Sequence, residues 1–562
     1  MIFQFIKNIT WANRKHVVYI LILNTIVPPL EIAILALIYL LLSKSQIDTI
    51  KTQLLNLFEY PGLTHLQVIS VLFGLTLVTI LAWAFLKRIK AQILTTTRYN
   101  IYESLAAKVT ESYFETPANS QLHQNTEEIT NMVIRRSESA SVYYISLIGL
   151  VSSIFAVILL TATAIVSSWQ ITIAAMILAV VSVIINYRNF RIIGVIGTEK
   201  IQVTDDLLKE LTQNIRSFIW VKFDGLEKVT SGKIKKVLHL DWEWKVNKIV
   251  TTHTVTILSD AFSLLSLGII AFIAILLGTV NLETLLLLIL IFNRLRSYAN
   301  ECQVSWVNIK ENYESTTTLL STLDTMTSNG RTELFEFNRI ENIQIHNVSF
   351  SYDQTPIINS ITTDVCEGDK ILIQGPSGQG KSTLLKLLSG YYTPDKGTIS
   401  YNNDIKTTDS LSFKSVANHI FYAANDMYVP NIPIRDYLDP NGTLTQEEIK
   451  SMLNNACLTE LITEKHWLSQ TLGDDANNFS LGQRQRILLS RLFSRNPSLI
   501  ILDEATTHMD HDIETQILAN IHNHLDSSSI LIASSHNTLP AIKFNKIYEV
   551  SSGNLAEITV DL

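Results

Sequence analysis

Cysteine is scarce in this sequence, and its scarcity excludes two kinds of site. The chain of 562 residues contains three cysteines, Cys302, Cys366 and Cys457, and no two of them form a Cys-x-x-Cys pair. A disulfide framework or a zinc site is therefore not expected. We expect three isolated thiols that are buried or have no chemical role.

A surplus of basic residues is also missing. The 44 Lys and Arg residues are outnumbered by 51 Asp and Glu residues, and the formal net charge is −7. This balance lacks the cationic surface typical of nucleic-acid-binding proteins, so no nucleic-acid partner is expected. Charged residues make up only 17% of the chain, whereas hydrophobic residues make up 47%. That proportion is unusual for a soluble protein of this length.

Long apolar runs are abundant instead, and almost all of them lie in the first half of the chain. Six segments are apolar enough to cross a bilayer core of about 30 Å. They are residues 17–42, 68–86, 143–167, 170–185, 255–278 and 282–292. One such segment fits a buried core helix, but six in succession predict a membrane domain. The first run is too long for a signal-peptide core, so we expect a retained anchor.

Basic residues flank these runs unevenly, which predicts the orientation of the chain. They cluster after the second, fourth and sixth runs and before the fifth, at Lys87, Arg88, Lys90, Arg98, Arg188, Arg191, Lys245, Lys248, Arg294 and Arg296. We therefore expect a multi-pass protein of the cytoplasmic membrane, with both termini and the two long loops, 87–140 and 188–249, in the cytoplasm. Helical spacing in both loops predicts that the spanning helices continue below the bilayer.

The two halves of the chain predict different fold classes. We expect an all-α membrane domain with six transmembrane helices at residues 1–327, and a linker at residues 328–342. Residues 343–562 have the composition of an ordinary globular domain. Their short apolar strands alternate with helical patterns, which is typical of an α/β domain.

A glycine-rich stretch organises this second domain. It follows a short apolar strand pattern at residues 370–374 and precedes a helical pattern that begins at Leu384. Strand, loop and helix in this order are the context of a phosphate-binding P-loop, so the domain is predicted to bind a nucleotide. The candidate nucleotide-binding residues are Gly375, Pro376, Ser377, Gly378, Gln379, Gly380, Lys381, Ser382 and Thr383. Lys381 can reach the β- and γ-phosphates as a catalytic cation, and the Ser382 hydroxyl can bind Mg²⁺.

A buried strand pattern further along the chain ends in two carboxylates. Residues 499–502 are apolar, and Asp503 and Glu504 follow them, at the strand end where α/β sheets bind ligands. Asp503 suits Mg²⁺, and Glu504 is placed to activate the attacking water as a general base. A second buried strand, 530–535, ends at His536, which we expect to contact the γ-phosphate. Ser480 precedes another helical pattern, where it is either an N-cap or a phosphate ligand.

These motifs, in this order and spacing, resemble the nucleotide-binding domain of ABC transporters, and the six preceding spans resemble an exporter-type half-transporter. The resemblance implies ATP and Mg²⁺ as cofactors and a dimer in which two ATP molecules lie between two such domains. It implies that Tyr352 stacks on adenine and that Asp510 belongs to the D-loop. The residues expected to bind the γ-phosphate of ATP on the partner's P-loop are Ser480, Gly482 and Gln483. Loop tips near Pro117 and Trp220 would be the coupling helices.

Three positions depart from the pattern of that family. Leu481 replaces a glycine of the signature loop, Asn425 stands where the Q-loop usually has glutamine and can ligate Mg²⁺, and His508-Met509 replaces small and apolar residues in the D-loop. Because Lys381, Asp503, Glu504 and His536 remain, we expect a competent ATPase. A homodimer is expected, and pairing with a different half stays open. An ATP-gated regulatory membrane protein with little turnover is the alternative from another class.

The transported substrate is less well defined. Glu31, Asp260 and Asn24 lie within apolar runs, where each should face a cavity, the polar boundary or a basic partner. A mildly acidic cavity would suit a cationic or amphipathic substrate, in contact with membrane lipid. The chain is similar to flippases of lipid-linked oligosaccharides and to exporters of small antibacterial peptides, and a multidrug or lipid exporter is a further alternative.

Overall fold

The computed structural model describes most of the chain. It describes residues 11–43, 64–115, 126–173, 217–277, 282–329, 339–352, 355–402, 416–425, 427–462, 467–473, 478–535 and 542–558, with isolated positions between these ranges. The chain forms two compact units. The first consists of Met1–Phe114 and Gln124–Met326, and the second of Glu115–His123 and Thr327–Leu562.

Helices make up the described part of the first unit. They are α1 (Trp11–Leu42), α2 (His65–Glu115), α3 (Thr126–Asn131), α4 (Ser137–Ser167), α5 (Phe218–Phe223), α6 (Glu227–Leu277) and α7 (Leu282–Asn329), with a π-helical turn at Met132–Arg136. Helices α2 and α6 each contain 51 residues. At 1.5 Å per residue such a helix is about 75 Å long, far more than a bilayer core. A helix of this length that crosses a bilayer would extend well beyond its core, which is consistent with the predicted continuation of the spanning helices.

Among the described residues, three helical stretches are long and apolar enough to cross a membrane. They are Lys15–Leu42, His65–Phe114 and Glu128–Ser167, and they contain the first three predicted spans. Much of the fourth predicted span, 170–185, lies outside the described residues, as does residue 278 of the fifth. The described part of the fifth lies in α6, and the sixth opens α7.

The two acidic residues of the spans have different partners. Asp260 on α6 accepts a hydrogen bond from the Arg296 Nε on α7 at 3.1 Å, so it is paired with a basic group. Glu31 is buried on α1 and accepts hydrogen bonds from Trp83 Nε1 at 2.8 Å and from the Tyr298 hydroxyl at 3.1 Å. Glu31 thus links α1 to α2 and α7, because each of its carboxylate oxygens receives a neutral donor.

Two β-sheets and surrounding helices form the second unit. The strands are β1 (Asn342–Tyr352), β2 (Thr355–Cys366), β3 (Lys370–Gln374), β4 (Lys396–Tyr401), β5 (Ile405–Lys406), β6 (Ile420–Ala424), β7 (Leu499–Asp503), β8 (Ile530–Ser534), β9 (Lys546–Ser551) and β10 (Asn554–Ile558). The helices are α8 (Lys381–Leu388), α9 (Ile434–Leu438), α10 (Gln446–Asn455), α11 (Thr459–Ile462), α12 (Leu481–Ser490) and α13 (His511–His524), with short 3₁₀ turns at Trp467–Ser469 and Arg491–Ser494.

The larger sheet is parallel over most of its width. Its order is β10-β9-β3-β8-β7-β6, and only β10 pairs antiparallel with its neighbour. Strands β7 and β8 are buried at every position, which explains their continuous apolar sequence. The smaller sheet, β2-β1-β4-β5, is antiparallel and shares a hydrophobic core with one face of the larger sheet. This arrangement confirms the predicted α/β architecture.

The three cysteines are free thiols, as expected. Cys302 and Cys457 are half-buried, whereas Cys366 at the end of β2 is exposed. Of the two expected states, buried or without a chemical role, burial does not apply to Cys366, because strand β2 lies at the edge of the smaller sheet and its last side chain points to solvent.

The buried strand β7 generates a prediction about stability. Replacing Ile501 with Ala should lower the free energy of unfolding by roughly 2–5 kcal/mol, since the fully buried side chain leaves a cavity between packed sheets. The matched change Ile558→Ala, on the exposed strand β10, should have a much smaller effect. Thermal unfolding of the purified full chain in detergent measures both, and equal midpoints for the two variants would contradict this account of the core.

Candidate nucleotide site

The P-loop runs from β3 to α8 and is shaped by two glycines. Gly375 has φ of 143°, and a Cβ atom there would lie 2.3 Å from the Val550 carbonyl oxygen on β9. Gly380 has φ of 101° at the N-cap of α8. Both conformations favour glycine, so the loop requires these residues at the turn out of the sheet and at the helix entry.

Lys381 is held at the centre of this loop. Its side chain is 4% exposed, and its Nζ donates to the carbonyl oxygens of Gly375 at 2.7 Å and Pro376 at 3.2 Å. The same Nζ lies 3.5 Å from Glu504 Oε1. The structure therefore brings together the predicted catalytic cation and the candidate general base, which are far apart in sequence.

Asp503 lies at the carboxyl end of β7 with both carboxylate oxygens hydrogen-bonded. Ser534 Oγ donates to Oδ1 at 2.7 Å, and the Tyr422 hydroxyl donates to Oδ2 at 3.2 Å. These donors fix the orientation of a buried carboxylate. Sequence reasoning missed both residues, although a hydroxyl at the end of strand pattern 530–535 was a visible signal for Ser534.

Glu504 adopts an unusual backbone conformation beside this carboxylate. Its φ is 51°, a left-handed value that costs a non-glycine residue about 1–3 kcal/mol. Its N–H donates to Ser534 Oγ at 3.1 Å and lies 3.3 Å from the Ser534 carbonyl oxygen. Ser534 therefore supports both acidic residues, and the strained turn directs Glu504 toward Lys381.

Two other predicted nucleotide contacts lie next to the loop. The Tyr352 hydroxyl is 3.4 Å from Thr383 Oγ1, and its ring packs edge-on against Phe350 and Tyr392. Gln379 Oε1 accepts a hydrogen bond from the Ser552 N–H at 2.8 Å, which ties the loop to the turn between β9 and β10. The remaining P-loop residues Pro376, Ser377, Gly378 and Ser382 are exposed.

Ser480 is the N-cap of α12, which is one of the two roles that the sequence left open for this residue. Its hydroxyl accepts from the Gln483 N–H at 3.2 Å, while Gln483 Oε1 accepts from the Ser480 N–H at 3.0 Å. This capping box orders the helix entry, and the Ser480 hydroxyl proton is still available to a ligand. Leu481 is 58% exposed, so this departure from glycine creates no clash within the chain.

The backbone of the D-loop approaches helix α12 closely at Gly482, one residue after Leu481. A Cβ atom at Gly482 would lie 2.7 Å from the His508 carbonyl oxygen.

The other predicted residues lie on three different segments. Asp510 is the N-cap residue of α13 and has no side-chain capping hydrogen bond. Asn425 follows β6, and its N–H lies 3.3 Å from the Asp503 carbonyl oxygen. The remaining predicted residue, His536, lies outside the described residues.

The oxygen atoms near β7 suit Mg²⁺. Ser382 supplies a hydroxyl, Asp503 an oriented carboxylate and Asn425 an amide oxygen, and Mg²⁺ prefers such hard oxygen ligands. This fit rests on the donor types and on the hydrogen bonds that fix Asp503.

Comparison with known proteins identifies the domain. Residues 358–507 match the family model described as ABC transporter. This part of the chain is an ABC transporter domain. A domain of this family implies ATP binding, and Lys381 and the P-loop lie within the matched residues.

Relatives of the ABC domain include proteins named for the export or transport of different substrates. The microcin-J25 export ATP-binding/permease protein of Escherichia coli is 37% identical over 216 residues, which are 38% of this chain and 37% of that protein. The lactococcin-G-processing and transport ATP-binding protein of Lactococcus lactis subsp. lactis is 33% identical over 202 residues, or 35% of this chain and 28% of that protein. These alignments span less than two fifths of either relative's length.

A solved structure extends the likeness to the whole fold. A bacterial Atm1-family ABC exporter with ATP bound matches with a TM-score of 0.77 at 16% identity, over 97% of this chain and 94% of that chain. At this identity the likeness concerns the fold. It confirms the expected fold, in which a helical domain with apolar helices precedes an α/β nucleotide-binding domain.

The contact between the signature helix α12 and the D-loop generates a prediction. Gly482→Ala should push residues 507–509 away from α12, because the new methyl group overlaps the His508 carbonyl oxygen. Hydrogen exchange measured by mass spectrometry should be faster in the D-loop peptide and unchanged in β8. Gly232→Ala on helix α6, at a position with no atom within 4 Å of the added Cβ, is the control. Unchanged D-loop exchange in Gly482→Ala would mean that the contact between Gly482 and His508 does not hold this loop in place.

Proposed function

We propose that the chain is one half of an exporter that uses ATP hydrolysis to move an amphipathic substrate across the cytoplasmic membrane by alternating access. The observation that carries this proposal is the cluster of Lys381, Asp503 and Glu504 at one edge of a buried parallel sheet. Membrane-crossing helices in the same chain supply the transport pathway.

The chemistry of hydrolysis follows from this cluster. Lys381 neutralises charge on the β- and γ-phosphates, and Glu504 accepts a proton from the attacking water. Ser382, Asp503 and Asn425 would hold Mg²⁺, which stabilises negative charge on the phosphate oxygens when it is bound. His536 is proposed to contact the γ-phosphate. The ion pair between Lys381 and Glu504 holds the base close to the loop until nucleotide arrives.

We propose that the working unit is a dimer, most simply of two identical chains. Ser480, Gly482 and Gln483 of one chain would complete the ATP site of the partner, with Asp510 close to the same interface. The helix entry supports this role because Leu481 is exposed and the Ser480 hydroxyl is held at the N-terminus of α12. A chain whose own P-loop is complete but whose signature helix serves another site cannot hydrolyse ATP efficiently alone.

A small peptide is the substrate that the comparisons favour. Two relatives carry names that refer to microcin-J25 export and to lactococcin-G processing and transport. A multidrug substrate is the second candidate, because the multidrug resistance ABC transporter ATP-binding and permease protein of Lactococcus lactis subsp. cremoris is 28% identical over 217 residues, or 38% of this chain and 36% of that protein. Flipping of a lipid-linked oligosaccharide stays a prediction from the sequence.

The general base provides the test of the proposed function. In proteoliposomes, Glu504→Gln should lower the ATPase rate at least about 100-fold, since general-base catalysis contributes a factor of this order. ATP binding should persist, because Lys381 and the loop are intact. The wild-type rate should also rise when a cationic amphipathic peptide is added. A wild-type chain that binds ATP but hydrolyses it no faster than Glu504→Gln would refute the transport motor and favour the regulatory alternative.

A further inference from the structure

Gln485 is a buried amide on α12 to which the proposed mechanism assigns no role. Its side chain is 3% exposed. It joins the helix that carries it to two other segments, the loop after β6 and the D-loop. The contacts are Nε2 to Asn425 Oδ1 at 3.0 Å, Nε2 to Thr507 Oγ1 at 3.4 Å, Nε2 to His508 Nδ1 at 3.2 Å and the His508 N–H to Oε1 at 3.1 Å.

The orientation of this amide is fixed by the backbone. The His508 N–H can only donate, so the Gln485 atom that receives it must be the carbonyl oxygen. The amide nitrogen consequently faces Asn425, and the Asn425 atom that receives it must be Oδ1. One backbone N–H in the D-loop therefore determines which way the side-chain amide of Asn425 is turned.

This orientation matters because Asn425 is a proposed Mg²⁺ ligand. A carbonyl oxygen has two lone pairs, and the bond from Gln485 uses one of them, which leaves the other for a cation or its water. The amide nitrogen of Asn425 could not bind a cation at all. Asparagine is also one methylene shorter than glutamine. The position of the Asn425 amide oxygen therefore depends more strongly on the hydrogen bond from Gln485.

Gln485 also acts on the D-loop. It binds the N–H of His508, while the carbonyl oxygen of the same residue lies against Gly482 on α12. Both backbone groups of His508 are thus held by the signature helix. Any displacement of the D-loop relative to α12 changes the support of Asn425, since the same buried side chain bonds to both.

We propose that Gln485 is a positioning residue that turns Asn425 Oδ1 into its metal-binding orientation and couples this orientation to the D-loop. The inference rests on the proposed function, because it assigns Gln485 to the same ATP site. Residues that orient metal ligands through hydrogen bonds typically change metal affinity or activity about 10–100-fold when they are replaced.

Two substitutions separate the two contacts. Gln485→Glu replaces the Nε2 donor, which faces Asn425, Thr507 and His508 Nδ1, with a second acceptor, so the orientation of Asn425 should be lost. It keeps an oxygen that accepts from the His508 N–H, so the bond to the D-loop backbone should remain. Gln485→Met has a similar length and removes both contacts. Gln470→Met is the matched control, because Gln470 is half-buried and its Oε1 has no hydrogen-bond partner among the described residues.

The experiment uses the full chain in detergent with Glu504→Gln as background, so that bound ATP is retained. In Gln485→Glu, the Mg²⁺ concentration that half-saturates ATP retention should rise about tenfold, with unchanged hydrogen exchange in the D-loop peptide that contains His508. In Gln485→Met, the Mg²⁺ requirement and the exchange rate should both rise. Gln470→Met should change neither.

The possible failures are distinguishable. If the background protein retains no ATP at any Mg²⁺ concentration, the proposed function itself is wrong. If it retains ATP and Gln485→Glu has the background Mg²⁺ requirement, the role of Gln485 is refuted. Thermal unfolding of each variant shows whether it is folded. If Gln485→Met is not folded, the Mg²⁺ requirement of Gln485→Glu alone tests the proposal. When Asn425→Ala is added to both proteins, Gln485→Glu should no longer change the Mg²⁺ concentration that half-saturates ATP retention. A change that persists without Asn425 would also refute the proposal.

Discussion

The parallel register of four strands is the constraint on which the ATP site depends. Ile373, Ser534, Asp503 and Ala424 lie in one row across β3, β8, β7 and β6. Because parallel strands end at the same edge, this row brings the P-loop, the two carboxylates and the loop of Asn425 together. A shift of one residue between any two strands would turn the side chains of one strand to the opposite face. The continuous burial of β7 and β8 opposes such a shift, since both faces are packed.

Hydrogen bonds from neighbouring side chains then fix the orientations of the residues that the register brings together. Ser534 binds Asp503 and the backbone of Glu504, so one buried hydroxyl supports both carboxylates. The left-handed backbone at Glu504 is tolerated because these bonds and the ion pair with Lys381 stabilise it. On the other side of β7, Gln485 joins Asn425 to the D-loop. The site is therefore pre-organised by residues that need not touch the nucleotide.

The sequence predicted the parts of this site that are local in the chain. The P-loop, strands β3, β7 and β8 and the acidic pair follow from glycine spacing and apolar runs, and each lies where it was expected. The supporting contacts could not be predicted, because they join residues that tertiary packing brings together: Ser534 is 31 positions from Asp503, and Gln485 is 60 positions from Asn425. The partners of Glu31, which are Trp83 and Tyr298 on other helices, and the exposure of Cys366 were likewise invisible in local patterns.

We propose that each chain holds half of an ATP site, which a second chain completes. The most direct measurement mixes two differently tagged chains, one with Ser377→Cys in the P-loop and one with Leu481→Cys at the signature helix, in a Cys366→Ser, Glu504→Gln background. A short bifunctional thiol reagent should link the two tags in the presence of ATP and Mg²⁺, and much less without them. Absence of the mixed product with ATP, or equal amounts with and without ATP, would contradict the account.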